Sequence, residues 1–126
     1  MSGDPRSLLV LFIDDDPGIR EYGRWILERE GHRVLEAEDG IKGLKLAESQ
    51  QFDLLVTDLV MPEKEGIETI ADIRRLQPGI RIIAISGAID SESYLQLAGG
   101  LGAHATIMKP FNRVKFLETV RQVIGD

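Results

Sequence analysis

Polar side chains that can bind a metal ion or a phosphoryl group follow four short apolar stretches of the sequence. Three consecutive aspartates come after residues 8–13, a fourth aspartate after residues 52–57, a serine after residues 80–85 and a lysine after residues 103–108. They are Asp14, Asp15, Asp16, Asp58, Ser86 and Lys109. If the four stretches are strands of one parallel sheet, these side chains meet beyond the carboxyl ends of the strands, where such sheets bind ligands.

Several carboxylates at one edge of a sheet require a compensating charge. Two carboxylates about 4 Å apart repel each other by roughly 4 kcal/mol at an effective dielectric constant near 20, so a cluster must bind a cation or raise a carboxyl pKa. Mg²⁺ prefers oxygen ligands and typically takes one or two carboxylates together with phosphate oxygens. Phosphoryl transfer mainly needs positioning and charge neutralisation. A hydroxyl and an ammonium group at the same edge complete a site for a divalent cation and a phosphoryl group.

Apolar stretches alternate with segments of helical periodicity along the chain. Strands are predicted over residues 8–13, 34–37, 52–57, 80–85 and 103–108. Helices are predicted over 66–76 and 91–101, and apolar stripes of helical spacing over 19–27, 41–47 and 114–124 indicate three more. This alternation predicts an α/β protein of the (βα)₅ type, a parallel sheet with helices on both faces. Residues 1–7 are expected to form a flexible tail, which leaves residues 8–126 as one domain.

Local signals mark where two of the predicted helices begin and end. Asp16 followed by Pro17 is typical of a helix start, so Asp16 is interpreted as a cap and not as a ligand. Gly31 ends that helix. Gly99, Gly100 and Gly102 weaken the end of the predicted 91–101 helix, because each glycine costs about 1 kcal/mol relative to alanine in a helix.

Composition argues against several classes of partner. The chain has 21 Asp and Glu against 15 Lys and Arg, a net charge of −6, whereas nucleic acids and anionic membranes select basic surfaces. The absence of cysteine excludes disulfides and thiolate metal sites. The apolar stretch over residues 8–13 is too short to cross a bilayer, so a cytoplasmic location is expected. His32 is expected at the surface and His104 in a structural role or on an output face.

Four segments carry a resemblance to a known family. They read FIDDDPGIR, DLLVTDLVMPEKEG, IIAISGA and IMKPF, each at the end of a predicted strand. In this order and spacing they resemble bacterial response-regulator receiver domains, of the kind found as single-domain chemotaxis regulators. The resemblance runs from about residue 7 to the C-terminus. It implies a flavodoxin-like sheet with strand order 2-1-3-4-5.

The resemblance assigns a phosphoacceptor and a metal site. Asp58 matches the aspartate that accepts a phosphoryl group from a partner's histidine, and Asp14 and Asp15 match the family's acidic pair. The implied cofactor is Mg²⁺, bound by Asp15, Asp58 and the backbone carbonyl of Val60, with Asp14 acting largely through metal-bound water. The implied partner is a histidine kinase or a histidine phosphotransfer protein, with a downstream target that the sequence does not identify.

The remaining matches concern the phosphoryl oxygens and the output. Ser86 matches the family's hydroxyl residue and Lys109 its phosphate-pairing lysine, and the Lys109–Pro110 bond is expected to be cis. Phosphorylation is expected to switch a face made by the predicted 91–101 helix, the fifth strand and the last helix. Thr106 stands where the family usually has an aromatic residue, so remodelling of the 91–101 helix, and not a rotating ring, is expected to carry the change.

Two other functions stay open at this point. The segment FIDDDPGI also fits the Asp-x-Asp signature of haloacid-dehalogenase-type phosphatases, through Asp14 and Asp16, although their late acidic motif is missing. A pseudo-receiver would keep the fold as a binding module without being phosphorylated. In the favoured interpretation the chain is not a turnover enzyme, since it transfers a phosphoryl group to itself and releases it by autodephosphorylation.

Overall fold

The predicted strands form one parallel sheet in this computed structural model, which describes residues 7–59, 66–87, 96, 99–100 and 102–125. They are β1 (Leu9–Ile13), β2 (Arg33–Ala37), β3 (Leu54–Asp58), β4 (Arg81–Ser86) and β5 (Ala105–Met108). Their order across the sheet is β2-β1-β3-β4-β5, and every pairing is parallel. The predicted α/β class and the strand order 2-1-3-4-5 are both confirmed.

Among the described residues, three helices connect these strands, a fourth follows β5, and all four cover the sheet. They are α1 (Pro17–Arg29), α2 (Gly40–Ser49), α3 (Gly66–Leu76) and α4 (Arg113–Ile124). The cap at the start of α1 is confirmed, because Oδ1 of Asp16 accepts hydrogen bonds from the N–H groups of Gly18 at 2.9 Å and Ile19 at 3.4 Å. Gly31 follows the helix with a φ of 91°, a left-handed conformation that glycine adopts without steric cost.

The sheet separates two apolar layers because strand side chains alternate between its faces. Val10 and Phe12 of β1 pack with α1 and α4, whereas Leu11 and Ile13 pack with α2 and α3. All four side chains are fully buried. A strand covered on both faces has no polar position, which explains why β1 appears in the sequence as a continuous apolar stretch.

Two strands, β3 and β5, begin two residues later than predicted, and side chains bind the backbone at their amino ends. Phe52 lies outside β3, and its N–H donates to Oε1 of Gln77 at 2.9 Å. Oδ2 of the next residue, Asp53, accepts a hydrogen bond from the N–H of Leu9 at 2.8 Å. His104 precedes β5, and its Nδ1 accepts from the N–H of Ile82 at 3.0 Å, which confirms its structural role.

His32 differs from its expected place on the surface. It is half-buried, and its Nδ1 accepts a hydrogen bond from the N–H of Leu8 at 3.1 Å. The prediction was wrong because this contact joins residues that are 24 positions apart in the chain. Pairing of the two neighbouring strands that follow these residues brings them together.

Some expectations lie wholly or partly outside the described residues. Residues 1–6 of the expected tail lie outside the described residues, and so does Val60. Ser7, the last residue of the expected tail, is described, and its Oγ donates a hydrogen bond to the carbonyl of Gly31 at 2.9 Å. Of the predicted 91–101 helix, the structure describes residues 96, 99 and 100, which are helical. Within the described part of the chain, none of the helices has the length and apolar character needed to cross a membrane.

Candidate functional site

The carboxyl ends of four adjacent strands bring the predicted site residues to one edge of the sheet. Asp14 directly follows β1, Asp58 is the last residue of β3, Ser86 is the last residue of β4 and Lys109 directly follows β5. Because β1, β3, β4 and β5 are neighbours in this order and run parallel, these positions lie at one edge. We call this group, together with Asp15, the carboxyl edge.

Three carboxylates of the carboxyl edge converge. One carboxylate oxygen from each of Asp14, Asp15 and Asp58 lies within 4.8 Å of the others. Asp14 is fully buried and Asp58 is 5% exposed, whereas Asp15 is exposed. Two carboxylates thus face inward and the third is open to solvent, an arrangement in which a metal ion or a phosphoryl group can approach from outside.

Lys109 lies between the two buried acids. Its Nζ is 2.9 Å from Oδ2 of Asp14 and 3.3 Å from Oδ2 of Asp58. A Cβ atom at Gly87 would lie 3.1 Å from the Cβ of Lys109, so the glycine leaves room for the lysine side chain. The peptide bond between Lys109 and Pro110 is cis, as predicted.

The pKa values of Asp14 and Lys109 are both raised in the folded chain. Burial raises the pKa of Asp14 above its usual value, the contact with Lys109 opposes this shift, and the negative charge of Asp58 adds to it. Burial lowers the pKa of Lys109, but the contacts with Asp14 and Asp58 outweigh burial and raise it. Lys109 is therefore a cation at neutral pH, and burial makes ionisation of Asp14 less favourable than it is in water.

The two carboxylate oxygens of Asp14 differ in their partners. Its Oδ1 accepts a hydrogen bond from the N–H of Asp16 at 2.9 Å. Among the described residues its Oδ2 is buried without a hydrogen-bond partner, although Nζ of Lys109 lies 2.9 Å from it. An incompletely satisfied carboxylate oxygen beside two further carboxylates is the donor set that a hard divalent cation prefers.

Ser86 and Gly66 lie close to β3 for different reasons. Ser86 is fully buried at the end of β4, and its carbonyl accepts a hydrogen bond from the N–H of Lys109 at 3.0 Å. A Cβ atom at Gly66 would lie 2.0 Å from the carbonyl oxygen of Asp58 and 2.7 Å from Cα of Leu59. The start of α3 can therefore approach Asp58 only because residue 66 is glycine.

An arginine on α1, which the sequence did not single out, reaches the same edge. Nη1 of Arg20 donates to the carbonyl oxygen of Asp14 at 2.6 Å, and Nε donates to Oε1 of Glu36 at 3.0 Å. Glu36 lies on β2 beside Phe12 of β1. A glutamate within a half-buried strand is a sequence signal for an ionic partner, but the sequence alone does not identify that partner.

Comparison with known proteins shows which family the chain resembles. A family model described as the response regulator receiver domain matches residues 10–121. The chain is 32% identical over 115 residues to the chemotaxis protein CheY of Halobacterium salinarum, covering 91% of this chain and 95% of that protein. It spans only 19% of the length of other curated relatives, transcriptional regulatory proteins of Escherichia coli that it matches at 37% identity.

Solved structures agree with this assignment. A CheY-like receiver domain protein of Methanospirillum hungatei superposes with a TM-score of 0.88 at 32% identity, covering 94% of each chain. A response regulator protein of Burkholderia pseudomallei superposes with a TM-score of 0.80 at 31% identity, covering 86% of this chain and 64% of that chain. The crystal structure of the latter holds a phosphorylated aspartic acid, a calcium ion and citrate.

Proposed function

The chain belongs to the response regulator receiver domain family of two-component systems, and on that premise we propose that Asp58 accepts a phosphoryl group from a partner's phosphohistidine. The partner is a histidine kinase or a histidine phosphotransfer protein. The observation that carries the proposal is the position of Asp58 at the end of β3, with Nζ of Lys109 at 3.3 Å and two further carboxylates beside it. The relative with a phosphorylated aspartic acid supports it.

The transfer exchanges one bond to phosphorus for another. A carboxylate oxygen of Asp58 attacks the phosphorus atom, the phosphorus–nitrogen bond breaks, and the released imidazole nitrogen keeps the electron pair and takes up a proton. Lys109 holds positive charge beside the position of the phosphoryl oxygens, and Ser86 offers a hydroxyl from the next strand. Such reactions need mainly positioning and charge neutralisation, so Lys109 and Ser86 can assist without donating or accepting a proton. Hydrolysis at the same site returns the free carboxylate.

Mg²⁺ is the proposed cofactor. Asp15 and Asp58 would bind it directly, Asp14 through a water molecule, and the carbonyl of Val60, which lies outside the described residues, would complete the protein ligands. When bound, the cation neutralises charge that develops on the phosphoryl oxygens. The fit rests on the three converging carboxylates, and Mg²⁺ usually keeps several waters, which the exposed position of Asp15 permits.

The proposed output is a change at the face made by the 91–101 segment, β5 and α4. Ser86 ends β4 directly before the chain leads into that segment, so movement of Ser86 toward a phosphoryl group would be transmitted there. Thr106 and Met108 of β5 have exposed side chains, which makes the face accessible to a downstream protein. Nucleic acid and membrane are not proposed as partners, and a cytoplasmic location stays a prediction from the sequence.

Phosphorylation by a small donor tests the proposal. Mass spectrometry after treatment with acetyl phosphate and Mg²⁺ is expected to show one added phosphoryl group, which is lost completely in Asp58→Asn. Asp53→Asn is the matched control, because Asp53 lies at the opposite end of β3, and this variant is expected to be labelled like the unmodified chain.

Each competing function gives a different result in the same experiment. A phosphatase of the haloacid dehalogenase type would keep the label in Asp58→Asn and lose it in Asp14→Asn. That type is already disfavoured, because its second aspartate would be Asp16, whose Oδ1 caps α1. A pseudo-receiver would take up no label in any variant. Either result would overturn the assignment of Asp58 as the phosphoacceptor.

A further inference from the structure

A chain of ion pairs connects the surface of α1 to the carboxyl edge. Glu28 pairs with Nε of Arg24 at 2.9 Å, and Nη1 of Arg24 pairs with Oε2 of Glu36 at 2.9 Å. The other oxygen of Glu36 accepts from Nε of Arg20 at 3.0 Å. Arg20 then donates from Nη1 to the carbonyl oxygen of Asp14 at 2.6 Å. Glu36 thus binds two arginines, but only Arg20 reaches the site.

Arg20 is held firmly at both of its contacts. Its side chain is 17% exposed and that of Glu36 is 25% exposed, so both ends of this ion pair are largely withdrawn from water. The guanidinium group is planar and presents its donors in a fixed fork. Since Nε is fixed by β2, the direction of Nη1 toward Asp14 is fixed as well.

The carbonyl that Arg20 binds belongs to the peptide unit between Asp14 and Asp15. This unit is planar, so an anchor on its oxygen also orients its N–H group and the Cα of Asp15. Asp14 is already fixed, because its N–H donates to the carbonyl of Ala37 at 3.2 Å and its Oδ1 accepts from Asp16. Asp15 is exposed, and its carboxylate makes no hydrogen bond or ion pair among the residues described. The backbone therefore sets the direction of its Cα–Cβ bond and, with it, the range of positions that the carboxylate can reach.

We propose that Arg20 is a positioning residue for the divalent-cation site, and that Glu36 orients it. Arg20 fixes the peptide between Asp14 and Asp15, so that the Asp15 carboxylate points toward Asp58 before the cation arrives. The inference rests on the proposed metal-dependent function and adds a residue that touches neither the cation nor the phosphoryl group. Residues that orient metal ligands in this way typically change metal affinity by about 10- to 100-fold when they are replaced.

Charge and positioning make opposite predictions for the loss of Arg20. As a cation near a cation site, Arg20 repels Mg²⁺, so charge alone predicts tighter binding when it is removed. As the anchor of the Asp14 carbonyl, its removal leaves Asp15 free to turn, which predicts weaker binding. The sign of the change in Mg²⁺ affinity therefore separates the two roles.

The experiment is a calorimetric titration of Mg²⁺ into the unphosphorylated chain. Arg20→Gln is expected to bind Mg²⁺ about tenfold more weakly than the unmodified chain. Arg24→Gln is the matched control, because it removes the same charge from the same helix and the same glutamate without touching Asp14. This control is expected to keep the affinity within about twofold. Glu36→Gln is expected to lie between the two.

Urea unfolding of each variant separates positioning from loss of fold. A merely structural role would lower the free energy of unfolding and leave the Mg²⁺ affinity of the folded chain unchanged. If Arg20→Gln does not fold, Arg20→Lys is the variant to test. It keeps the positive charge but cannot donate to Glu36 and Asp14 at the same time in the fixed geometry of a guanidinium, so weaker Mg²⁺ binding is expected there too. Unchanged or tighter binding in the folded Arg20 variant, or an equal loss in Arg24→Gln, would overturn the inference. If the unmodified chain bound no Mg²⁺, the proposed cofactor itself would fail, and the inference with it.

Discussion

Polar side chains at the two ends of the sheet differ in how fully they are hydrogen-bonded. At the carboxyl edge, Oδ2 of Asp14 is, among the residues described, the buried side-chain oxygen without a hydrogen-bond partner. At the other end, polar side chains that precede strands or close helices bind backbone groups. They are His32, Asp53, Gln77 and His104, which we call the amino edge. The side chains of the amino edge stabilise the fold, whereas those of the carboxyl edge leave a buried carboxylate oxygen at the proposed cation site.

Gln77 shows the amino edge most clearly. It is 3% exposed, and its Nε2 donates to the carbonyl oxygens of Ala47 at 2.8 Å and Gln50 at 2.7 Å. Its Oε1 accepts from the N–H of Phe52 at 2.9 Å. One side chain therefore satisfies the end of α2 and the start of β3. The carboxylates of the carboxyl edge, in contrast, face one another and rely on Lys109.

Replacing Gln77 is expected to give the largest loss of stability. Gln77→Ala leaves buried backbone groups unsatisfied, each at a cost of about 1–3 kcal/mol, so a loss of about 3 kcal/mol is expected once water reaches some of them. Urea unfolding measures this change. Gln51→Ala is the control, because residue 51 is an exposed glutamine, and less than about 0.5 kcal/mol is expected there. A loss below 1 kcal/mol in Gln77→Ala would contradict the stabilising role of the amino edge.

Replacing Asp14 is expected to act in the opposite direction on stability. Burial and the charge of Asp58 raise the pKa of Asp14 in the folded chain, so folding disfavours its ionised form at neutral pH. Asp14→Asn removes that cost and is expected to raise the free energy of unfolding by about 1 kcal/mol without Mg²⁺. The same change is expected to weaken Mg²⁺ binding at least about tenfold, because a carboxylate of the cluster is lost.

Urea unfolding without Mg²⁺ and calorimetry with Mg²⁺ measure the two effects of Asp14→Asn. Glu48→Gln changes the charge of the chain by the same amount at an exposed site and is expected to alter neither quantity. Destabilisation of Asp14→Asn without Mg²⁺ would mean that the contact with Lys109 outweighs burial and repulsion. The carboxyl edge would then stabilise the fold as the amino edge does.

The same contrast explains what the sequence could predict. Asp14, Asp58, Ser86 and Lys109 follow apolar stretches directly, so a local pattern places each of them at a strand end. The parallel topology, itself predicted from the alternation of strands and helices, then brings them to one edge. Predicted helix boundaries agree with the structure where residues near the helix ends mark them, as in the predicted 66–76 helix, which has the bounds of α3.

The contacts that the sequence did not predict join distant parts of the chain. Gln77 binds Phe52 and Ala47 from 25 and 30 residues away. Arg20 reaches Glu36 across 16 residues. A glutamine after a helix and an arginine within one are ordinary surface residues by their types. Only the packing of α1 on β2, and of α3 on α2, shows which backbone or charged group each of them meets.

The smallest expected effect is the pH dependence of the two histidines of the amino edge. Burial is the main cause that lowers the pKa of His32, and at His104 burial is reinforced by Arg81 and Arg74. Because both pKa values lie below 6.5 in the folded chain, the unfolded chain binds more protons just below that pH. Their contribution to stability is thus present above about pH 6.5 and is lost as the pH falls through the lowered values. A loss below about 1 kcal/mol is expected for the two hydrogen bonds to Nδ1 together, because both are only partly buried and water replaces the acceptor that protonation removes.

The double variant His32→Asn and His104→Asn isolates this contribution. Asparagine can still accept the backbone N–H groups of Leu8 and Ile82 but does not titrate, so stability at neutral pH is expected to change little. Urea unfolding between about pH 7 and pH 5 is expected to show a smaller loss in the variant than in the unmodified chain. Asp14 has the opposite pH dependence. Because its pKa is raised in the folded chain, its contribution to stability increases as the pH falls toward that raised value. It is present in both proteins, so its contribution cancels in the difference. Equal pH dependence in the two proteins would show that the hydrogen bonds of the amino edge survive protonation of the histidines.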